Sequence, residues 1–257
     1  MSQAVKLSAV IITYNEERNI ERCLASLQGV VDEIVVLDSN STDSTKDICL
    51  QYNVAFHSQA FVGHIEQKNK AVSLAKYDHV LALDADEALS DELKKSIIAA
   101  KNNWQNDGWR MNRLTNYCGR WIRHGSWYPD TKTRLWDRRK GQWGGMNPHD
   151  QVTLADGSSL AKLNGDLLHY SYYTAREHVE RSEKYAFIAA GAMAKLGKKA
   201  SIWQIIFSPS YRFWRDYLLK VGFKDGFEGF FIATISGYST FLKYGYRYLH
   251  QQGKQQL

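Results

Sequence analysis

Three of the first four apolar runs in this chain end abruptly in a cluster of polar and acidic residues. The runs span residues 7–13, 33–37, 54–56 and 79–83 and are dense in Val, Ile, Leu and Ala. Short runs of this kind, bounded by polar residues, read as buried strands. Helical patterns separate them. Ile20, Cys23, Leu24 and Leu27 recur at helical spacing, and Ser41, Thr42 and Asp43 offer N-caps for a helix through about residue 52. Residues 63–75 read as a further helix, and Ser90-Asp91-Glu92 opens another. The β-α-β-α order predicts an α/β fold with a mostly parallel sheet flanked by helices. Ligands on such sheets bind at the carboxyl ends of the strands. The polar clusters fall there: Tyr14-Asn15-Glu16-Glu17, Asp38-Ser39-Asn40-Ser41, and the segment from Asp84 to Glu87.

The rest of the chain is patterned differently. Residues 108–170 are strand-rich and dense in Trp, Tyr, Arg and Gly, and from about Arg176 the pattern turns helical. Residues 202–249 hold 15 aromatic side chains, interleaved with Arg212, Arg215, Lys220, Lys224, Lys243 and Arg247. The expected division is a catalytic domain over residues 1–175 and a helical, aromatic and basic extension over residues 176–257. That extension could pack on the catalytic domain, or lie in a membrane interface with its rings among the headgroups.

Charge divides the chain earlier, near residue 100. Residues 1–100 carry nine basic and 15 acidic side chains, and residues 101–257 carry 24 and 12. The acidic part suits a divalent cation, and the basic part suits phosphates or an anionic surface. No zinc-finger, helix-turn-helix or RNP-like pattern supports nucleic acid. Cys23, Cys49 and Cys118 are scattered, with no metal-type or disulfide-framework spacing. No apolar run approaches the ~20 residues needed to span a bilayer, so a cytoplasmic or peripheral location is expected.

Asp84-Ala85-Asp86 follows the run at 79–83. If the strand continues, both acids point to one face. Two hard oxygen ligands there could hold Mg2+ or Mn2+, which would bridge diphosphate oxygens and neutralise a diphosphate leaving group. Glu87 could orient a ligand or a loop. Asp38 ends the second run, where a carboxylate can accept from a nucleobase or ribose. Trp127, Tyr128 and Trp143 could stack on acceptor sugars or fill a core. Lys132 and Arg134 alternate on one strand face and could meet donor or acceptor phosphate, or stay solvated.

Together, residues 9–17, the segment Val35-Val36-Leu37-Asp38-Ser39 and residues 81–87 resemble the three signature segments of family 2 glycosyltransferases, whose GT-A fold is Rossmann-like. Trp127-Tyr128-Pro129-Asp130, Arg134-Leu135-Trp136, Pro148-His149-Asp150 and residues 168–172 resemble the lipopolysaccharide core β-glucosyltransferase subgroup. Two departures stand out: Pro148-His149-Asp150 where the subgroup has Val-His-Glu, and Asn40 where it often has Gly. The resemblance implies that Thr13, Tyr14, Asn15 and Glu17 line a nucleotide pocket with Asp38 on the base. It puts Lys68 and Asn69 on the nucleotide side, Asp84 on ribose or donor sugar, and Asp86 with His169 on the metal.

An acceptor hydroxyl needs a carboxylate or His to take its proton. Asp150 is the expected base, with His149 as rival or orienting partner. The reading is an inverting, metal-dependent transferase. It would move a hexose, by resemblance glucose, from a UDP-type sugar to a glycolipid or oligosaccharide acceptor of the lipopolysaccharide core or a related surface glycan. Residues 202–249 would contact the cytoplasmic face of the inner membrane. Two rivals are a sugar-nucleotidyltransferase, whose Gly-rich phosphate loop residues 13–19 lack, and a non-catalytic membrane-associated scaffold.

Overall fold

The computed structural model describes residues 4–146 and 149–257, with the side chains of Met146 and His149 excepted. The described residues form two compact units. The first comprises the chain up to Arg113 together with Asp130–Tyr170, and the second comprises Leu114–Pro129 and Ser171–Leu257.

The first unit opens with β1 (Leu7–Thr13), α1 (Ile20–Leu27), β2 (Glu33–Asp38), α2 (Thr45–Leu50), β3 (Ala55–Ser58), α3 (His64–Leu74) and β4 (His79–Asp84). β3, β2, β1 and β4 lie side by side and pair in parallel. Then come β5 (Glu87–Leu89), α4 (Asp91–Asn102), β6 (Gly108–Tyr117), β7 (Arg120–Ile122) and β8 (Asp130–Asp137). β9 (Gly141–Met146) and β10 (His149–Leu154) form a separate antiparallel hairpin, and β11 (Leu160–Tyr172) follows. The sheet order is β3-β2-β1-β4-β8-β6-β11-β5. β8 runs antiparallel to β4 and to β6, and β5 antiparallel to β11. The expected α/β sheet is present, with a parallel half extended by antiparallel strands.

Strand alternation explains why both faces are covered. Leu7, Ala9 and Ile11 of β1 join Ile34 and Val36 of β2 and Leu81 and Leu83 of β4 in one core with α1 and α4. Val10, Val35, Leu37, Val80 and Ala82 point the other way, into a second core with Ala71 and Val72 of α3 and with Trp136 and Trp143. Side chains of period two must serve two layers when helices cover both faces. Ser90 caps α4, its Oγ accepting from the Leu93 N–H at 3.3 Å.

The second unit is mainly helical: α5 (Ala175–Lys195), α6 (Ile202–Trp214) and α7 (Gly226–Gln251). Capping boxes open α5 at Thr174 with Glu177, and α6 at Ser201 with Gln204. A π turn over Arg215–Leu219 and a 3-10 turn over Gly222–Asp225 join α6 to α7. β7 pairs with the end of β6 in this unit. Tyr117, Trp127, Tyr172 and His178 form its aromatic centre, with Trp127 stacked on Tyr172 at 5.4 Å. All three cysteines are free; Cys23 and Cys49 are buried and Cys118 is exposed.

Candidate active site

The loops after β1 and β2 are laced together. The Asn15 N–H donates to Ser41 Oγ at 2.8 Å, and Asn15 Oδ1 accepts from the Thr42 N–H at 2.8 Å. The Glu17 N–H donates to Asp43 Oδ2 at 3.1 Å, and Glu17 Oε2 accepts from the Ser44 N–H at 3.0 Å. The Ser41 hydroxyl, expected with Thr42 and Asp43 as an N-cap candidate, therefore staples two loops instead, as does the Thr42 backbone N–H. The helix starts later, with Ser44 at the N-cap making no side-chain cap bond. Backbone groups released at strand ends need partners, and these loops supply them to each other. Asn15 and Asn40 adopt φ of 52° and 63°, a region Asn enters more readily than most residues.

Asp38 is buried beneath this lacing. Its Oδ2 accepts from the Ser41 N–H at 2.8 Å and its Oδ1 from the Ser41 hydroxyl at 2.5 Å. Each oxygen keeps a further lone pair. Thr13 is buried with no hydrogen-bond partner for its hydroxyl among the described residues. Tyr14 is 58% exposed beside it in sequence.

The acidic pair differs from a continuing strand. β4 ends at Asp84, and Ala85-Asp86 form a turn before β5. The two carboxylates therefore meet different partners. Asp84 lies between two cations, with Lys68 Nζ at 2.9 Å and Arg134 Nη2 at 2.8 Å. Burial alone would raise its carboxyl, but the Lys68 and Arg134 charges hold it well below the usual carboxylate range. Asp86 Oδ2 lies 3.2 Å from His169 Nε2. β11 delivers that histidine, since His169 sits opposite Glu87 in the β11–β5 ladder.

A chain of charges runs on from Asp84. Arg134 Nη2 also reaches Glu87 Oε1 at 3.0 Å, and Arg113 Nη1 approaches the same oxygen at 3.5 Å. Arg113 Nη2 pairs with Asp130 at 2.8 Å. Glu87 Oε2 accepts from the Asp84 N–H at 2.9 Å, so it fixes the turn that carries the acidic pair. Arg134 is 3% exposed, which puts it beneath the acids rather than on an open strand face. Its Nε and Nη1 have no partner among the described residues.

Lys68 also reaches Asp150, with Nζ 2.7 Å from Oδ2, and lies 4.4 Å from the centre of the Trp143 ring. Asn69 Nδ2 donates to the Trp143 carbonyl and Asn69 Oδ1 accepts from the Trp143 N–H, both at 3.0 Å. α3 thereby anchors the β9–β10 hairpin, and Lys68 gathers Asp84 and Asp150 around one ammonium. Pro148 lies outside the described residues, as does the side chain of His149. Trp127 and Tyr128 belong to the second unit, where Trp127 sits in the aromatic cluster.

Arg113 was missed in the sequence although it carried a signal. It falls two residues after the fully buried Met111 on β6, and an arginine in that phase needs a buried acid. Glu87 is that acid.

Residues 8–156, more than half of the chain, match the family described as Glycosyl transferase family 2. The chain belongs to this family. An uncharacterised glycosyltransferase of Rickettsia bellii (strain RML369-C) is 30% identical over 249 residues, covering 93% of this chain and 84% of that protein. The lipopolysaccharide core biosynthesis glycosyltransferase LpsC of Rhizobium meliloti (strain 1021) is 27% identical over 250 residues, covering 94% of this chain and 92% of that protein. Among solved structures, S. aureus TarS 1-349 in complex with UDP aligns with a TM-score of 0.48 at 16% identity, covering 96% of this chain and 92% of that one. This family 2 protein is a glycosyltransferase, as its three N-terminal segments led one to expect.

Proposed function

We propose that this glycosyltransferase moves a hexose, glucose by resemblance, from a UDP-type nucleotide sugar, with inversion. The acceptor is a glycolipid or oligosaccharide of a lipopolysaccharide core or related surface glycan. The observation that carries the site is the Asp86–His169 pair, 3.2 Å apart at the carboxyl end of the parallel strands. The likeness to LpsC over 94% of this chain supports the acceptor class.

The donor set suits Mg2+ or Mn2+. Asp86 and His169 would hold it. Among the described residues no three His, Cys, Asp or Glu side chains are grouped for a metal. When bound, the ion supplies Lewis-acid neutralisation of the diphosphate leaving group.

The chain's own residues do the rest. Asp38 and the laced loop bearing Thr13, Tyr14, Asn15 and Glu17 bind the nucleoside. Asp84, held by Lys68 and Arg134, meets ribose or donor sugar. Lys68 can turn from Asp150 to the incoming diphosphate, and Asp150, so released, accepts the proton of the acceptor hydroxyl. His149 is its rival or orienting partner. The acceptor's lipid brings the reaction to the cytoplasmic face of the inner membrane, with residues 202–249 in peripheral contact.

The test is a panel of nucleotide sugars with and without Mn2+, read by product mass and anomeric NMR. Asp86→Ala should lose metal-dependent turnover by about 1,000-fold or more while keeping its circular dichroism. Wild-type turnover in that variant would reject the metal site.

A further inference from the structure

We propose that the outer face of α6 docks on an anionic lipid bilayer, lying in the interface rather than crossing it. This gives the peripheral contact put forward above a specific face, but it rests on the helical unit alone. Residues 202–211 contain no charged side chain, yet not one residue of α6 is buried. Trp203 is 66% exposed, Ile206 54%, Phe207 59%, Tyr211 64% and Trp214 54%. Spacings of three and four put these five on one face of the helix.

The other face is fixed. A Cβ added to Gly237 of α7 would lie 3.0 Å from the Pro209 carbonyl oxygen and 3.7 Å from Phe213 Cβ, so the lack of a side chain there lets the helices close together. At the end of α6, the buried Asp216 accepts from Arg212 Nε at 2.6 Å and Arg215 Nε at 2.8 Å. The aromatic stripe is therefore held outward by a rigid support.

Charge selects the occupant. From residue 184 onward the chain carries 11 Lys and Arg against three Asp and Glu. Two of those acids, Asp216 and Asp225, are buried and paired. Lys198 and Lys199 before the stripe, and Lys220 and Lys224 after it, are exposed. An uncharged aromatic face bounded at both ends by lysines matches an anionic interface, where rings enter the headgroup layer and ammonium groups meet phosphate. A second copy of this chain fits less well, because an isologous pairing would set lysines against lysines. Among the described residues no helix is long and apolar enough to cross a membrane.

The test floats the full chain with phosphatidylcholine vesicles, with and without roughly 30 mol% phosphatidylglycerol. Binding should require the anionic lipid and fall in about 0.5 M salt, where surface charges are screened. Trp203→Glu with Phe207→Glu, and separately Lys198→Glu with Lys199→Glu, should each weaken binding about tenfold or more. Trp203→Ser with Phe207→Ser repeats the reading should the charged pair fail to fold. Equal binding to both vesicles, or none at low salt, overturns the proposal. So does a dimer in sedimentation that the Trp203/Phe207 variants disperse. Donor hydrolysis in solution by the same variants separates a failure here from a failure of the transferase reading.

Discussion

The two units treat charged and aromatic residues in opposite ways. In the first, apolar side chains fill both faces of the sheet, and charges gather in one network from Lys68 through Asp84, Arg134, Glu87 and Arg113 to Asp130. In the second, Asp216 and Asp225 are 3% and 4% exposed, while Trp203, Phe207 and Phe227 stand 59% exposed or more. Asp225 is satisfied by the backbone N–H groups of Arg123 and His124 and by the His124 ring. The contrast teaches that burying an acid is a matter of partners, not of depth. One unit uses paired acids to fix the turn after β4, and the other uses them to brace the end of a helix whose apolar face turns outward.

The charge network of the first unit is the easier half of this comparison to break. Arg134→Met would leave the fully buried Glu87 carboxylate with the 3.5 Å approach of Arg113 as its remaining ion pair, beside the Asp84 N–H on its other oxygen. Removing one partner of a buried pair typically costs about 3–5 kcal/mol. Urea unfolding should show that loss, together with reduced donor turnover because the turn bearing Asp86 loosens. A change under about 1 kcal/mol would mean that Glu87 does not depend on Arg134. A core position in the same unit gives the reference value. Leu24→Ala on α1, fully buried, should cost about 2–5 kcal/mol by the same measurement.

These two positions also show what was legible in the sequence. The parallel strands and the helices over them follow from alternation and from Ile20, Cys23, Leu24 and Leu27 at helical spacing, because tight burial leaves a periodic record. The strand-end positions of Asn15, Asp38, Asp84 and Asp86 were legible for the same reason. The course of the Asp84-Ala85-Asp86 backbone was not, since a turn there is set by Glu87 accepting from the Asp84 N–H. The stapling role of Ser41 was hidden because a Ser hydroxyl bonds a neighbouring loop as readily as a helix end. α6 shows a further limit: periodicity marks an apolar face but does not say whether that face meets a core.

The aromatic centre of the second unit gives a smaller effect, with a sign set by titration. Burial, reinforced by the nearby Arg181 charge, lowers the pKa of His178 to about 4. Its ring lies 5.3 Å from that of Tyr117 and 5.0 Å from that of Tyr172. The folded state therefore keeps His178 neutral while the unfolded chain takes up a proton below about pH 6.5. Stability from this group is complete above that pH, falls as pH drops toward 4, and then levels off, a total of at most about 3 kcal/mol. Urea midpoints measured between pH 7 and pH 4 should show this decline, and His178→Gln should flatten it. An unchanged slope in that variant would assign the acid sensitivity to other groups.

The smallest expected effect tests the comparison most directly. Phe207 on α6 and Leu24 on α1 both occupy apolar positions of an amphipathic helix, yet one is 59% exposed and the other fully buried. Phe207→Ala removes a 59% exposed ring stacked on Trp203 at 5.6 Å and leaves no internal cavity. In detergent-free buffer it should shift the unfolding free energy by no more than about 0.5 kcal/mol, as surface substitutions do. A loss near the Leu24→Ala value would show that the face is covered in solution and that the unit's outward aromatics are part of a core. If the shift stays small in buffer, yet anionic vesicles raise the melting temperature of the wild type and not of the variant, the stabilisation comes from lipid binding to the folded chain. The same hydrophobic periodicity would then serve folding in α1 and docking in α6, distinguished only by what lies opposite the stripe.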